Sequence, residues 1–281
     1  MTDPAILFDL SGRTAVVTGG AGLLGAEFCR TLLGAGANVV IADINENAAG
    51  ALSNELHSQP EAGGSAPRVY SNHVDITSEK SVKALFQKVS GEFDKVDILV
   101  NAAAIDPKID PGSKRVSDSE FSFDEFPLEL WKQALDVNLT GTFLCCQSAG
   151  KIMERQGGGV MINISSIYGM VGPDQRIYKI GDNSDRYKPA YYSTTKAGIL
   201  GLTRYLATYY ALKNIRVNAL TPGGVFNEHE PGFVDAYSSR TVLGRMGRKN
   251  EMNGALLFLA SDASAYMTGS NLVVDGGWTA W

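Results

Sequence analysis

The sequence predicts an α/β fold in a single domain, residues 1–281, built on one parallel sheet of seven strands. Three observations carry that expectation. Short apolar, β-rich runs alternate with longer segments whose apolar residues recur at helical spacing. Strands that alternate with helices in this way imply right-handed crossovers, and so a parallel sheet. No repeat or linker divides the 281 residues, of which 44% are hydrophobic and 20% charged, enough for one sizeable core.

Taken in order, residues 14–17 form the first buried strand, and Gly20, Gly22 and Gly25 follow at once. A helical pattern opens on them (Ala26, Phe28, Leu32, Leu33) and closes at Gly34 and Gly36. Residues 39–42 are the second strand, ending at Asp43. Glycines so placed permit a tight turn and close backbone approach to a pyrophosphate at the positive end of the helix. Asp43 lies 18 residues past Gly25, where an acid bonds the adenosine ribose hydroxyls. A carboxylate there repels a 2′-phosphate. Neither Ala21, Gly22 and Leu23 nor Ile44 and Asn45 offers a basic partner for one. NAD is therefore expected over NADP.

An amphipathic segment (46–56) and a Gly/Pro-rich loop (58–67), expected to be exposed and mobile, come next. Residues 68–74 read as strand three, followed by Asp75 and Ile76. Asp75 either faces an adenine amino group or caps the next helix, as Thr77 or Ser78 could. Strand four, 95–101, ends at Asn101, Ala102 and Ala103, small enough to admit a cofactor or to pack a helix on the sheet. A polar insert (105–126) precedes a helix over 128–151 that contains Asn138. Strand five, 160–166, ends at Ser165 and Ser166, and a second insert spans 173–188. A helix over 190–212 follows, then strand six, 216–220, ending at Thr221-Pro-Gly-Gly224. Residues 227–245 look irregular, 251–260 helical, and 270–275 form strand seven. Ligands of such sheets bind beyond the carboxyl ends of the strands.

Net charge is −5 without a basic run, which argues against nucleic acid or an anionic membrane as partner. No window approaches the ~18 uncharged apolar residues of a membrane span. Residues 1–10 resemble neither a secretory signal nor a transit peptide. Cys29, Cys145 and Cys146 make no disulfide framework, and His57, His73 and His229 lack metal-ligand spacing. A cytoplasmic protein with no required metal is expected.

Tyr192 and Lys196 fall one helical turn apart on one face. A free tyrosine, with a pKa near ~10, is a poor base at neutral pH. An ammonium beside it favours the phenolate, and such a pair can move a proton to or from an alcohol or carbonyl oxygen. The spacing is common, and an ordinary amphipathic helix with a surface lysine also explains it.

Over essentially its whole length the chain resembles the short-chain dehydrogenases/reductases. The matching pieces are Thr18-Gly-Gly-Ala-Gly-Leu-Leu-Gly25, Asp75-Ile76, Asn101-Ala-Ala, Asn138, Ser165-Ser166, Tyr192-x-x-x-Lys196, Asn218 with Pro222-Gly223, and Asp275-Gly-Gly277. The resemblance implies a doubly wound (Rossmann) fold with helices on both faces, a nicotinamide cofactor and hydride transfer at a secondary alcohol or ketone. It implies Tyr192 as acid/base, with Lys196 lowering its pKa and bonding the nicotinamide ribose. Ser166 holds the substrate oxygen, and Asn138 supports a water that relays protons. Ser166 is preferred to Ser165 because Gly169 stands three residues on, and Tyr192 to Tyr191 by its spacing from Lys196. Cofactor contacts are expected from Gly19, Ala21, Gly22, Leu23, Leu24, Asp43, Ile44, Asp75, Ile76, Asn101, Ala102, Ala103, Pro222, Gly223 and Val225, besides Tyr192 and Lys196.

Three features depart from the family. The glycine spacing is that of its extended, sugar-nucleotide branch. Ser166 and Tyr192 are 26 residues apart, about twice the usual gap. Asn227 stands where a threonine is usual. Both inserts mix charges (Lys108, Lys114, Arg115, Arg176, Lys179, Arg186 and Lys188 against acids) and carry few large aliphatics, which favours a sugar, polyol or sugar phosphate over a steroid or acyl chain. The chain's ending also looks like oxidoreductases of bacterial flagellin-glycan (nonulosonate) pathways. Alternatives are a 3-oxoacyl-type NADPH reductase, a nucleotide-sugar epimerase or dehydratase that recycles NAD, and a non-catalytic NAD sensor. Trp278 and Trp281 are expected to pack on a neighbouring subunit, and the resemblance implies a homo-oligomer, tetramer or dimer, joined through the helices at 128–151 and 190–212.

Overall fold

A computed structural model of the chain describes residues 4–57, 68–106, 121–179 and 186–281. Within them, seven strands form one parallel sheet: β1 (Thr14–Thr18), β2 (Asn38–Asp43), β3 (Val69–His73), β4 (Ile98–Asn101), β5 (Gly159–Ile164), β6 (Ile215–Pro222) and β7 (Asn271–Val274). Their order, β3-β2-β1-β4-β5-β6-β7, reverses between β1 and β4. That reversal is the point where a doubly wound Rossmann sheet opens a crevice beyond its strand ends.

The side chains of β1 show how the sheet is sandwiched. Successive residues point to opposite faces. Ala15 and Val17 meet Phe28 and Leu32 of α2 (Leu23–Gly34), and Leu256 and Leu259 of α9 (Asn253–Ala260) share that layer. Val16 faces the other layer, with Leu85 and Phe86 of α4 (Glu79–Phe93) and Cys145 and Met153 of α6 (Thr142–Gln156). Burying each large aliphatic or aromatic side chain of this kind contributes about 1.5–3 kcal/mol. A third cluster sits past the carboxyl ends of β5, β6 and β7. It holds Tyr168, Tyr178, Tyr191, Tyr192, Phe233, Tyr237 and Trp278. The remaining helices are α1 (Pro4–Leu7), α3 (Glu46–His57), α5 (Leu128–Leu135), α7 (Ala190–Tyr209) and α8 (Pro231–Ser238).

The helix expected over 128–151 is in fact three pieces. A π-helical stretch, Asp136–Gly141, separates α5 from α6, and the whole runs on to Gln156. Gly157, at φ 88°, ends it in the left-handed conformation that glycine adopts freely. The apolar pattern runs through the interruption, which is why the pattern alone reads as one helix. Residues 227–245, expected to be irregular, contain α8. Pro231 sits in its first turn, and Phe233 and Tyr237, one turn apart, are buried beneath it. Helix α7 ends at Tyr209 rather than 212. The loop expected at 58–67 lies outside the described residues.

Trp278 is corrected as well. Instead of waiting for a neighbouring subunit, its ring stacks on Tyr237 at 4.2 Å and meets Tyr168 edge-on at 6.4 Å, leaving it 8% exposed. The glycine turn after β7 (Gly276 at φ 65°, Gly277 at φ 83°) folds the chain end back over the third cluster. Trp281 stays 79% exposed, its indole N–H donating to the Arg240 carbonyl at 3.1 Å. No helix among the described residues is long and apolar enough to cross a membrane.

Candidate active site

A cavity of about 320 Å³ opens beyond the carboxyl ends of β1, β4, β5 and β6. One wall is the turn between β1 and α2. At Gly19, φ 64°, an added Cβ would stand 2.5 Å from Ala103 Cα, and at Gly25 it would stand 2.0 Å from the Gly19 carbonyl oxygen. Gly19 must be glycine for the turn to press against the chain leaving β4, and Gly25 for α2 to close on the turn. Gly22 lines the cavity and gives α2 no side-chain cap, while the first turn of α2 holds no acid. Unpaired N–H groups and the helix dipole therefore meet the cavity over bare backbone, the surface that a pyrophosphate needs. The residues present thus fit a nicotinamide dinucleotide. Asp43, at the end of β2, accepts from the N–H groups of Ala21 (3.0 Å) and Asn45 (2.9 Å).

Of the residues singled out from the sequence, Gly19, Gly22, Leu23, Leu24, Ala102, Ser166, Tyr192, Lys196, Pro222, Gly223 and Val225 line this one cavity. Others stand back from it. Asp75 holds its own turn, accepting from both the N–H and the hydroxyl of Thr77, and Ser78 rather than Thr77 caps α4. Ile76 is buried against α6's layer, and Ala103 backs Gly19. The Asn101 side chain points along the sheet to Asn163 (2.9 Å) and not into the cavity. Asp43, Ala21 and Ile44 mark the outer end of the crevice at β2. Lys108, Lys114 and Arg115 lie outside the described residues.

At the chemical end the neighbouring candidates point in different directions. Ser165 turns its hydroxyl to the Lys196 carbonyl (2.8 Å), whereas Ser166 caps the short turn Ile167–Gly169. At Gly169 an added Cβ would stand 2.6 Å from the Lys196 backbone, so glycine lets the Ser166 turn lie against α7. Tyr191 is fully buried against Phe126, and Tyr192 faces the cavity. Pro189 precedes the first residue of α7, and the four-residue spacing then brings Lys196 to the same wall as Tyr192, its ammonium donating to the Ile164 carbonyl at 2.9 Å. Asn138 lies in the π-helical stretch. It accepts from the Ile105 N–H (2.6 Å) and donates to the Ile105 carbonyl (3.0 Å) and to Thr195 (3.3 Å). Thr195 in turn donates to the Tyr192 carbonyl at 3.2 Å.

The electrostatics of this wall are set first by burial. Burial raises the Tyr192 phenol well above its ordinary value, Asp106 adds to that, and a hydrogen bond with Ser166 pulls the other way. Lys196 stands 5.8 Å from the Tyr192 ring centre and does not offset this, because the cost of desolvating a phenolate in an aromatic-walled cavity is larger. Burial also pushes Lys196 itself down to about 8.

Several cavity residues carried no local signal in the sequence. Asp106, His229, Phe233, Tyr237 and Met246 come from separate loops and α8. Tyr168, two residues past Ser166, bonds the hydroxyl of Tyr178 at 2.9 Å, and burial raises its phenol to about 12. Tyr178 and Lys188 belong to the insert at 173–188, and both reach the cavity. Asp174 anchors that insert, paired with Arg176 and with Arg240 beyond α8.

A family model described as enoyl-(acyl carrier protein) reductase matches residues 20–279. A cis-4-hydroxycyclohexanecarboxylate dehydrogenase of Sinomonas cyclohexanicum is 36% identical, over 95% of this chain and 97% of its own. A D-threitol dehydrogenase of Mycolicibacterium smegmatis is 33% identical, over 97% and 95%. A gluconate 5-dehydrogenase of Burkholderia cenocepacia, solved in complex with NADP and tartrate, superposes with a TM-score of 0.84 at 29% identity, covering 99% of this chain and 100% of that one.

Proposed function

The chain belongs to the short-chain dehydrogenase/reductase family, and on that footing we propose that it is an NAD-dependent dehydrogenase interconverting a secondary alcohol and a ketone on a sugar, polyol or related polar substrate. The observation that carries this is the convergence of Ser166, Tyr192 and Lys196 on one wall of a cavity whose other wall is the bare glycine turn. Relatives named for hydroxycyclohexanecarboxylate and threitol, together with the polar cavity residues, support the substrate class.

In the oxidative direction, the Ser166 hydroxyl holds the substrate oxygen and Tyr192 takes its proton. Lys196, buried beside the phenol, favours the phenolate by its charge. Its own pKa of about 8 lets it pass a proton on near neutral pH. Asn138 fixes the Ile105 backbone and, through Thr195, the first turn of α7, which keeps Tyr192 in position. The glycine turn and the N-terminus of α2 would hold the pyrophosphate, Asp43 the adenosine ribose, and Lys196 the nicotinamide ribose. When bound, the dinucleotide supplies the hydride acceptor or donor.

Tyr192→Phe tests the mechanism: turnover, followed by NADH absorbance with sugars, polyols and their phosphates, should fall by orders of magnitude while NAD affinity stays nearly intact. Undiminished turnover refutes it. NAD rather than NADP rests on the Asp43 carboxylate, and equal affinity for both in a parallel titration would overturn that choice. We also propose a homo-oligomer, dimer or tetramer, supported by the exposed Phe143, Tyr205 and Tyr209 on α6 and α7. Monomer mass in light scattering would refute it.

A further inference from the structure

Lys188 does not behave as a surface lysine. Its side chain is only 10% exposed, its ammonium stands 3.9 Å over the centre of the Tyr192 ring, and it pairs with Asp106. Its backbone is held too. The Gln175 side chain accepts from the Lys188 N–H at 2.8 Å and donates to the Lys188 carbonyl at 3.0 Å, stapling the end of the insert to its beginning. Three segments therefore meet at one point: the loop after β4, the insert, and the start of α7. Lys188 and Asp106 both line the cavity.

An ammonium over the ring is no farther from the phenolic oxygen than two hydrogen bonds span, about 6 Å. An oxygen bonded to the carbon next to the reacting one falls within that interval. The pair offers that oxygen an ammonium donor and a carboxylate acceptor side by side. Of the common oxygen groups, a hydroxyl satisfies both at once, accepting from Lys188 and donating to Asp106. A carboxylate or phosphate there would meet Asp106 as a like charge. Arg186, two residues before Lys188, faces Glu230 at 3.9 Å, and the charges that line this end of the cavity are the balanced pair Lys188 and Asp106.

We infer that Lys188 and Asp106 are a specificity-determining pair that holds the second hydroxyl of a neutral vicinal diol, while Tyr192 and Ser166 hold the hydroxyl that is oxidised. This inference rests on the dehydrogenase function proposed above and narrows its substrate from polar alcohols in general to uncharged 1,2-diols.

The test compares cis-1,2-cyclohexanediol with cyclohexanol on the full chain with saturating NAD. Wild type is expected to favour the diol in kcat/KM. Lys188→Met, which keeps an unbranched side chain over the ring, should lower kcat/KM for the diol about 10- to 100-fold more than for cyclohexanol, the range set by losing a charged hydrogen bond. Asp106→Asn, at a half-exposed carboxylate, should shift the ratio in the same direction. A second readout needs no turnover: calorimetric titration of the diol into protein with NADH should show the same loss of affinity in both variants. Equal losses on the two alcohols in both variants, or a wild type that prefers a 2-hydroxy acid to the diol, overturns the inference and leaves the dehydrogenase function standing. A wild type that binds NAD yet turns over no alcohol overturns that function, and the inference falls with it.

Discussion

Removing the charge at Lys196 measures how far that residue sets the basicity of Tyr192. Lys196→Met preserves the unbranched stem and deletes the ammonium. With the charge 5.8 Å from the ring centre and an effective dielectric near 20, the lost Coulomb attraction on a phenolate is about 3 kcal/mol. At 1.36 kcal/mol per pKa unit, that is an upward shift of about 2 units. The sign follows from the chemistry: alcohol oxidation needs the phenolate, so its loss moves activity to higher pH. Burial already holds the phenol high, so the variant should be about 100-fold slower near neutrality and recover partly in alkali. Lys196, at about 8, carries its charge below that pH, which is where the difference from wild type should be largest. The assay is kcat/KM for oxidation across the neutral and alkaline range with saturating NAD. An inflection that moves by less than about half a unit, with activity lost uniformly, would refute the electrostatic role and leave Lys196 as a packing or cofactor-binding residue.

Three further outcomes are expected. Trp278→Ala should cost about 3–5 kcal/mol in denaturant unfolding through the lost stack on Tyr237, with no change of oligomer mass in light scattering, because the ring packs within its own chain. Asn138→Ala strands both backbone groups of Ile105 and should cost about 2–4 kcal/mol; unchanged stability by urea titration would show that water replaces the side chain. Arg176 beside Asp174, and Arg245 with Arg248 beside Glu251, hold those carboxyls down at about 2. Carboxylates lowered on folding stabilise above their ordinary range, and that contribution is lost as pH falls toward about 2. Melting temperature should decline over that window, and less so when salt already screens these exposed pairs.

The central strands were legible because they are short, buried, β-branched runs, and burial on both faces leaves no other reading of a segment such as Val16-Val17 or Val39-Val40-Ile41. The glycine turn, Asp43 and the Tyr192–Lys196 pair were legible because local spacing fixes them. The π-helical stretch was not, since Asn138 turns inward by a backbone change that leaves the apolar pattern intact. Helix α8 escaped because two buried aromatics in eight residues make a weak period. The substrate end of the cavity escaped for another reason. Asp106, Lys188, His229 and Phe233 become neighbours only when separate loops fold over the strand ends, and no local pattern records that meeting. Trp278 shows the reverse: nearness to the terminus predicts exposure, and the glycine turn folds the chain end back so that the ring is buried.

The Gln175 staple uncouples two properties of the insert that are usually tied together. Because the side chain holds the N–H and carbonyl of Lys188 directly, the place of that lysine does not depend on how many residues separate it from Gln175. The rim of the insert is fixed separately, by Tyr178 on Tyr168 and by Arg186 facing Glu230, so the entrance to α7 does not rely on those contacts. A substitution that loosens the rim therefore leaves the tyrosine one turn further on in place as long as Gln175 keeps its two bonds.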